Sequence, residues 1–142
     1  NRGTNFRVEE GHPNCIEGLK RPLHTIIPGM VLDHNGLSSL SYGVMGGQYQ
    51  PVGQVHVLNN ILDFEMSPQQ AITFPRAFHF SNIYKLEKEV SKEIKDGLLK
   101  IGHDVIHIDE THGGGQAIQI DRLKGKLIGG SDPRKDGYAK GY

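Results

Sequence analysis

The chain has 142 residues, with 16 basic and 16 acidic side chains and a formal net charge of zero. This length is enough for one domain with a hydrophobic core, and the neutral balance argues against nucleic acid or a membrane as a partner. The sequence contains no apolar run long enough to span a bilayer and no signal-peptide pattern. The single cysteine, Cys15, cannot form an internal disulfide, which fits a reducing compartment such as the cytoplasm.

The first part of the chain predicts a loop and then a β-hairpin. Residues 1–19 are polar and rich in turn-forming residues, which is typical of an extended loop. Residues 23–32 are apolar and β-branched and predict a strand with a break at Pro28 and Gly29. An Asn35-Gly36 turn, with two positive φ values, would connect it to a second strand over residues 37–42.

The glycine pair Gly46-Gly47 follows this hairpin and is the most informative local feature. Apolar residues then recur at helical spacing from 52 to 62, and Pro51 suits the first turn of that helix. Adjacent glycines permit positive φ values and close approach of a ligand to the main chain. Their N–H groups, near the positive end of the helix, can hold a developing oxyanion. The alternative is a tight strand-to-helix turn without a ligand, and the spacing fits no nucleotide-phosphate motif.

A second helix is predicted next, with Ser67 as its N-cap, Gln70 completing a capping box, and an end before Pro75. The alternating residues 74–80 predict a strand or a packed turn.

The last part of the chain predicts one more helix and three strands. Apolar residues at spacings of three and four from 86 to 101 predict an amphipathic helix ending at Gly102, with the charges of residues 85–95 on its solvated face. Strands are predicted over residues 105–108, 116–120 and 127–128, separated by glycine-rich turns. The elements together predict a single α+β domain over residues 1–142, with mostly antiparallel sheet and packed helices.

Three histidines near the end of the chain raise the possibility of a metal site. His103 and His107 would share one strand face, and His112 follows closely. The chain has no HExxH pattern and no cysteine support, so packing or surface roles are favoured over a zinc-dependent hydrolase.

Two further pairs of polar residues are candidates for substrate binding or for structural contacts. His24-Thr25 could hydrogen-bond a substrate carboxylate or amide, or could be ordinary strand residues. In the polar C-terminal stretch, Asp132 is expected to cap a turn and Arg134 to pair with a carboxylate. No G-x-S-x-G elbow is present to position a serine nucleophile.

Taken in order, several stretches resemble the C-terminal part of the small subunit of the gamma-glutamyltransferases (gamma-glutamyltranspeptidases), which are N-terminal-nucleophile hydrolases. The matching stretches are residues 20–28 (KRPLHTIIP), 43–47 (GVMGG), 62–64 (LDF), 71–76 (AITFPR), 102–105 (GHDV) and 129–137 (GGSDPRKDG). The resemblance covers nearly the whole chain and implies one side of an αββα sandwich.

The resemblance also implies roles for particular residues. The family's oxyanion hole maps onto Gly46 and Gly47, which agrees with the backbone chemistry described above. Two adjacent serines that bind the glutamyl α-carboxylate correspond to His24 and Thr25, and Thr25 keeps a hydroxyl group. His24 departs from the pattern and leaves the acyl group open, because acylases of other amides, such as cephalosporin acylases, are similar in scaffold.

The family's nucleophile is a threonine at the N-terminus of the small subunit, freed by autocleavage of a precursor, with its own α-amine as the base. Residues 1–3 resemble a point inside that subunit, so the threonine is expected on upstream segments of the same precursor. The resemblance thus implies part of a heterodimeric, cofactor-free enzyme that hydrolyses or transfers gamma-glutamyl amides such as glutathione, with this chain inactive alone. The alternative is an inactive binding or structural relative.

Overall fold

The computed structural model describes residues 2–142, which form seven strands and three α-helices. The strands are β1 (Gly29–Leu32), β2 (Ser38–Met45), β3 (Ala77–Phe80), β4 (Ile83–Glu87), β5 (Asp104–Ile108), β6 (Gly114–Asp121) and β7 (Lys126–Ser131). The helices are α1 (Gln50–Leu62), α2 (Pro68–Thr73) and α3 (Lys92–Lys100). None of these helices has the length and apolarity to cross a bilayer.

The strands form two sheets. The larger has the order β1-β2-β6-β7, and all of its neighbouring strands run antiparallel. The smaller has the order β3-β4-β5, where β3 and β4 are antiparallel but β4 and β5 are parallel. Helix α3 lies between β4 and β5 in the chain, as a parallel pair requires a crossover connection. The predicted α+β class with mostly antiparallel sheet is confirmed.

Helices α1 and α2 cover only one face of the larger sheet, and the main core lies between them and the sheet. This core consists of buried side chains from β2, β6, both helices and the turn before α1: Leu40, Val44, Tyr49, Val57, Ile61, Ala71, Ile72 and Ala117. The opposite sheet face is open. There Met30, Ile118 and Leu127 are 61%, 48% and 69% exposed.

Two local predictions are confirmed by the hydrogen bonds around them. The Ser67 hydroxyl accepts the Gln70 N–H and the Gln70 side chain accepts the Ser67 N–H, so the capping box is complete. The hairpin also forms, although its turn differs from the one expected. Gly36 has a φ of 78°, while the Asp33 carboxylate accepts the Asn35 N–H and organises the turn instead.

The strand boundaries around this hairpin differ from the prediction. Residues 23–28 are irregular, and the first strand is only β1. The second strand, β2, continues through Gly43 to Met45, because these residues pair with Gly114–Gln116 of β6. Gly114 and Gly115 were expected to form a turn but lie within that strand.

The amphipathic helix predicted from residue 86 is wrong in its first part. Leu86 and Glu87 belong to β4, which is the central strand of the smaller sheet, and both side chains are buried. The helix starts only at Lys92, where Ser91 caps it by accepting the Ile94 N–H. Backbone hydrogen bonds to neighbouring strands on both edges of β4 stabilise a strand at Leu86 and Glu87. The helical spacing of the apolar residues there is a coincidence, because a short buried segment can show it without forming a helix.

Candidate functional site

The glycine pair lies where β2 ends and the path to α1 begins. Gly46 has φ 142° and Gly47 has φ 59°, so the predicted positive φ values are confirmed. A short 3-10 turn, Gly47–Tyr49, leads into α1, and the Tyr49 N–H donates to the Gly46 carbonyl at 3.1 Å. The turn therefore directs the start of α1 toward the glycine pair.

The N–H groups of the two glycines are available at this turn. Within the part of the chain that the structure describes, no loop, turn or side-chain acceptor takes a hydrogen bond from Gly46 or Gly47 N–H. The N-terminal end of α1 adds the positive end of its dipole nearby. Backbone N–H donors without such acceptors can stabilise negative charge that develops on a carbonyl oxygen.

Close contact with the start of β6 fixes this backbone. A Cβ at Gly46 would lie 2.8 Å from the Gly113 Cα, and a Cβ at Gly113 would lie 2.3 Å from the Met45 carbonyl oxygen. Only glycine fits at either position, since real Cβ contacts are longer than this. The two chain segments thus touch through their backbones.

Tyr49 lies directly beneath the turn and is 2% exposed. Its ring stacks on His112 with centroids 5.3 Å apart and meets Phe78 edge-on at 5.4 Å. The guanidinium carbon of Arg76 lies 5.9 Å from the ring centre. Burial raises the pKa of Tyr49 to about 12, so the hydroxyl stays protonated at neutral pH and is not a general base.

Behind Tyr49 lies a buried network in which two arginines and two carboxylates alternate. Arg76 Nη2 donates to Asp132 Oδ2 at 2.7 Å, and Asp132 Oδ1 lies 3.3 Å from Arg134 Nη1. Arg134 then forms a two-point contact with Glu87, from Nε to Oε1 at 2.9 Å and from Nη2 to Oε2 at 2.5 Å. Because opposite charges neighbour one another throughout, the network is electrically neutral and its charges compensate in the interior.

Backbone groups complete this network and join it to the site. Asp132 accepts the N–H of Arg134 at 3.0 Å and that of Gly115 at 2.7 Å, so the predicted turn cap and carboxylate partner for Arg134 are confirmed. Arg76 Nη1 donates to the His112 carbonyl at 2.6 Å. The network therefore holds both ends of the segment that carries Gly113.

Glu87 corrects the expectation that residues 85–95 form a solvated face. It is 2% exposed and accepts the N–H groups of Arg76 at 3.0 Å and His112 at 2.9 Å. Burial alone would raise the pKa of Glu87, but hydrogen bonds from Arg134 and from these backbone donors outweigh it, and the pKa is lowered. No local pattern distinguishes Glu87 from its charged neighbours, so sequence reasoning missed it.

His24 and Thr25 lie in the irregular stretch before β1, where His24 is exposed and Thr25 is partly buried. The Gln54 side chain of α1 donates to the Ile27 carbonyl and ties this stretch to the helix that follows the glycine turn. Among the described residues, no hydrogen bond joins His24 or Thr25 to Gly46 or Gly47. Their role in substrate binding stays a prediction.

The three histidines considered for zinc do not converge. His107 contacts the Val90 carbonyl at 3.0 Å, His112 contacts the Lys85 carbonyl at 2.9 Å, and His103 packs against a tyrosine ring. Across residues 2–142, no three His, Cys, Asp or Glu side chains are grouped so that they could hold a metal ion. These contacts fit the packing role that the sequence favours for the three histidines.

Comparison with known proteins agrees with the resemblance. A family model described as gamma-glutamyltranspeptidase matches residues 1–142. The chain is 36% identical over 151 residues to the glutathione hydrolase-like YwrD proenzyme of Bacillus subtilis, covering 99% of this chain and 28% of that protein. It is 31% identical over 150 residues to the oxamate amidohydrolase proenzyme of Klebsiella pneumoniae, covering 100% of this chain and 28% of that protein.

Solved structures give the same result. A cephalosporin acylase from Bacillus halodurans is 36% identical with a TM-score of 0.82, over 99% of this chain and 27% of that chain. An acivicin-inhibited gamma-glutamyltranspeptidase is 29% identical with a TM-score of 0.79, over 96% of this chain and 80% of that chain.

These neighbours confirm the predicted fold of an N-terminal-nucleophile hydrolase. The chain spans 28% of the length of the two curated relatives, which are proenzymes. The family model covers every residue of the chain. This chain belongs to the gamma-glutamyltranspeptidase family.

Proposed function

We propose that the chain is the C-terminal part of an autoprocessed amidohydrolase or acyltransferase that acts on gamma-glutamyl amides such as glutathione. The observation that carries this proposal is the Gly46-Gly47 turn, whose two N–H groups donate to no loop, turn or side-chain acceptor among the described residues. The names of the relatives support the reaction class, since they include glutathione hydrolases, an oxamate amidohydrolase and acylases. All of these names describe cleavage or transfer at an amide carbonyl.

In the proposed reaction, a threonine from upstream sequence attacks the substrate carbonyl and gives up its proton to its own α-amine. The carbonyl oxygen becomes an oxyanion, which accepts hydrogen bonds from Gly46 and Gly47 N–H. Collapse of this intermediate breaks the C–N bond, the α-ammonium group returns the proton to the leaving amine, and an acyl-threonine ester remains. Water or a second amine then attacks the ester and gives a proton to the α-amine, and the same N–H pair stabilises the second oxyanion. Collapse of this second intermediate breaks the ester C–O bond, releases the acid or the new amide, and returns the proton to the threonine oxygen.

Two observations favour a substrate with a different acyl group. His24 replaces the first of the two serines that the resemblance implies for carboxylate binding, and the cephalosporin acylase is 36% identical to this chain. Hydrolysis of other amides is therefore the alternative within the same mechanism. In either case Thr25 supplies a hydroxyl group to the acyl pocket.

The partner in this proposal is the upstream part of the same precursor. The open face of the larger sheet carries Met30 and Ile118, which flank Ser41 in one row across β1, β2 and β6. An apolar sheet face of this kind fits a second sheet packed face to face against it. The family's αββα sandwich would place such a sheet here.

The test is turnover by the full-length precursor after it has matured. Release of nitroaniline from a gamma-glutamyl nitroanilide should be compared with hydrolysis of oxamate and of a cephalosporin side-chain amide. We expect cleavage of the gamma-glutamyl amide, and we expect His24→Ser to improve its KM relative to the other substrates. A matured protein that cleaves none of the three amides would contradict the proposal, and a preference for the cephalosporin amide would favour the alternative.

A further inference from the structure

We propose that Tyr49 is a positioning residue that holds the Gly46-Gly47 backbone in its oxyanion-binding geometry through its ring, which packs against Gly113, the backbone contact of Gly46. This inference rests on the proposed function of the glycine turn. Tyr49 does not reach a substrate in this scheme. It acts through the backbone that it supports.

The first support is the set of glycines packed around this side chain. A Cβ built on Gly46 would lie 3.5 Å from Tyr49 Cβ, and one on Gly113 would lie 2.8 Å from Tyr49 Cδ1. A Cβ on Gly53 of α1 would lie 2.6 Å from Tyr49 Cε1. Tyr49 thus occupies the space between the glycine turn, the start of β6 and α1, and the absence of three Cβ atoms creates that space.

The second support is that the ring is itself held firmly. His112 stacks on it with an interplanar angle of 23°, and both main-chain polar groups of His112 are bonded. The His112 N–H donates to Glu87 at 2.9 Å and its carbonyl accepts from Arg76 at 2.6 Å. The buried charge network therefore fixes His112, and His112 fixes the plane of the Tyr49 ring.

The third support concerns the hydroxyl group. Tyr49 Oη is buried and has no hydrogen-bond partner among residues 2–142. The contacts that link Tyr49 to the turn are therefore those of its ring and not of its hydroxyl group. A phenylalanine should serve equally well, whereas an aliphatic side chain of similar size should not.

The experiment compares three variants of the matured full-length protein: Tyr49→Phe, Tyr49→Leu and Val57→Ala. Val57 is a buried α1 residue of the same core and is not among the three nearest neighbours of a Cβ at Gly46, Gly53 or Gly113, so Val57→Ala controls for a loss of stability. Readouts are kcat and KM for the best amide substrate, the melting temperature, and hydrogen exchange of the peptide containing Gly46 and Gly47.

We expect Tyr49→Leu to lower kcat by about tenfold or more with little change in KM, because oxyanion stabilisation acts mainly in the transition state. Exchange at the glycine turn should become faster in the same variant. Tyr49→Phe should match the wild type, and Val57→Ala should keep its kcat despite a lower melting temperature. Gly53→Ala provides a second variant, since its Cβ would lie 2.6 Å from both the Tyr49 ring and the Val44 side chain and would displace the ring without removing it.

The inference is overturned if Tyr49→Leu and Gly53→Ala leave kcat and exchange at the turn unchanged, or if Val57→Ala lowers kcat as much as they do. If the wild-type protein cleaves no amide, the proposed function fails. The exchange comparison among the variants then decides the positioning role by itself.

Discussion

The side chains of Arg76 and Asp132 form an ion pair with 2.7 Å between Nη2 and Oδ2, and neither side chain has any exposed surface. The pair joins the segment after α2 to the turn after β7. A buried ion pair is weak evidence for stability, since desolvation offsets the attraction. Its effect here is geometric, because Asp132 also accepts the N–H of Gly115 next to the glycine contact.

Replacing Asp132 with asparagine should destabilise the protein by about 3–5 kcal/mol, because the change removes a charge that faces two buried arginines. Urea unfolding followed by circular dichroism would measure this loss. Asp136→Asn is the matched control, since Asp136 is exposed and asparagine tolerates its left-handed backbone. Equal unfolding midpoints for the two variants would contradict the importance of the buried pair.

Gly46→Ala should abolish most of the amide cleavage of the matured protein, with a loss of roughly a hundredfold or more in kcat. The added Cβ would lie 2.8 Å from the Gly113 Cα and displace the backbone that carries both N–H groups. Gly125→Ala also places alanine at a positive φ, in this case 63°, but its Cβ meets nothing within 4 Å. Steady-state kinetics should show near-normal kcat for Gly125→Ala, and similar losses in both variants would argue against a special role for Gly46.

Acid should destabilise the fold through Glu87. Its pKa is lowered in the folded protein relative to the reference value of 4.5, so its stabilising contribution is complete above that pH. The contribution is lost as the pH falls below 4.5 through the lowered folded-state pKa. Glu87→Gln should be less stable at pH 7 and should show a smaller further loss on acidification, as measured by urea midpoints between pH 7 and pH 3. Parallel curves for the two proteins would rule out Glu87 as the group responsible.

Alkali should destabilise the fold through Tyr49. Its pKa is raised from 10.0 to about 12, so the stabilisation is complete below pH 10 and is lost as the pH rises through the folded-state pKa. This difference corresponds to roughly 3 kcal/mol. Tyr49→Phe has no group to ionise, so its unfolding free energy should fall less between pH 10 and pH 12 than that of the wild type. Identical pH profiles would show that the Tyr49 hydroxyl is more exposed than its burial indicates.

Features that depend on a few neighbouring residues could be predicted from the sequence. The capping box at Ser67 and Gln70 and the positive φ values of Gly46 and Gly47 follow from short-range sterics and hydrogen bonds. The capping of a turn by Asp132 could be predicted for the same reason. The motifs in chain order were also enough to indicate the family, because each is local.

Features that depend on distant segments could not be predicted. Glu87 is surrounded by charged residues in the sequence, yet strand pairing and two arginines from other segments place it in the interior. Leu86 and Val90 have helical spacing, but neighbouring strands on both edges of β4 make a strand more favourable at Leu86. The sequence by itself determined the glycine turn and its positive φ values, because backbone conformational preferences act locally. Only the tertiary structure decided that Tyr49, His112 and a buried charge network support that turn, because burial and ion pairing depend on which distant residues meet.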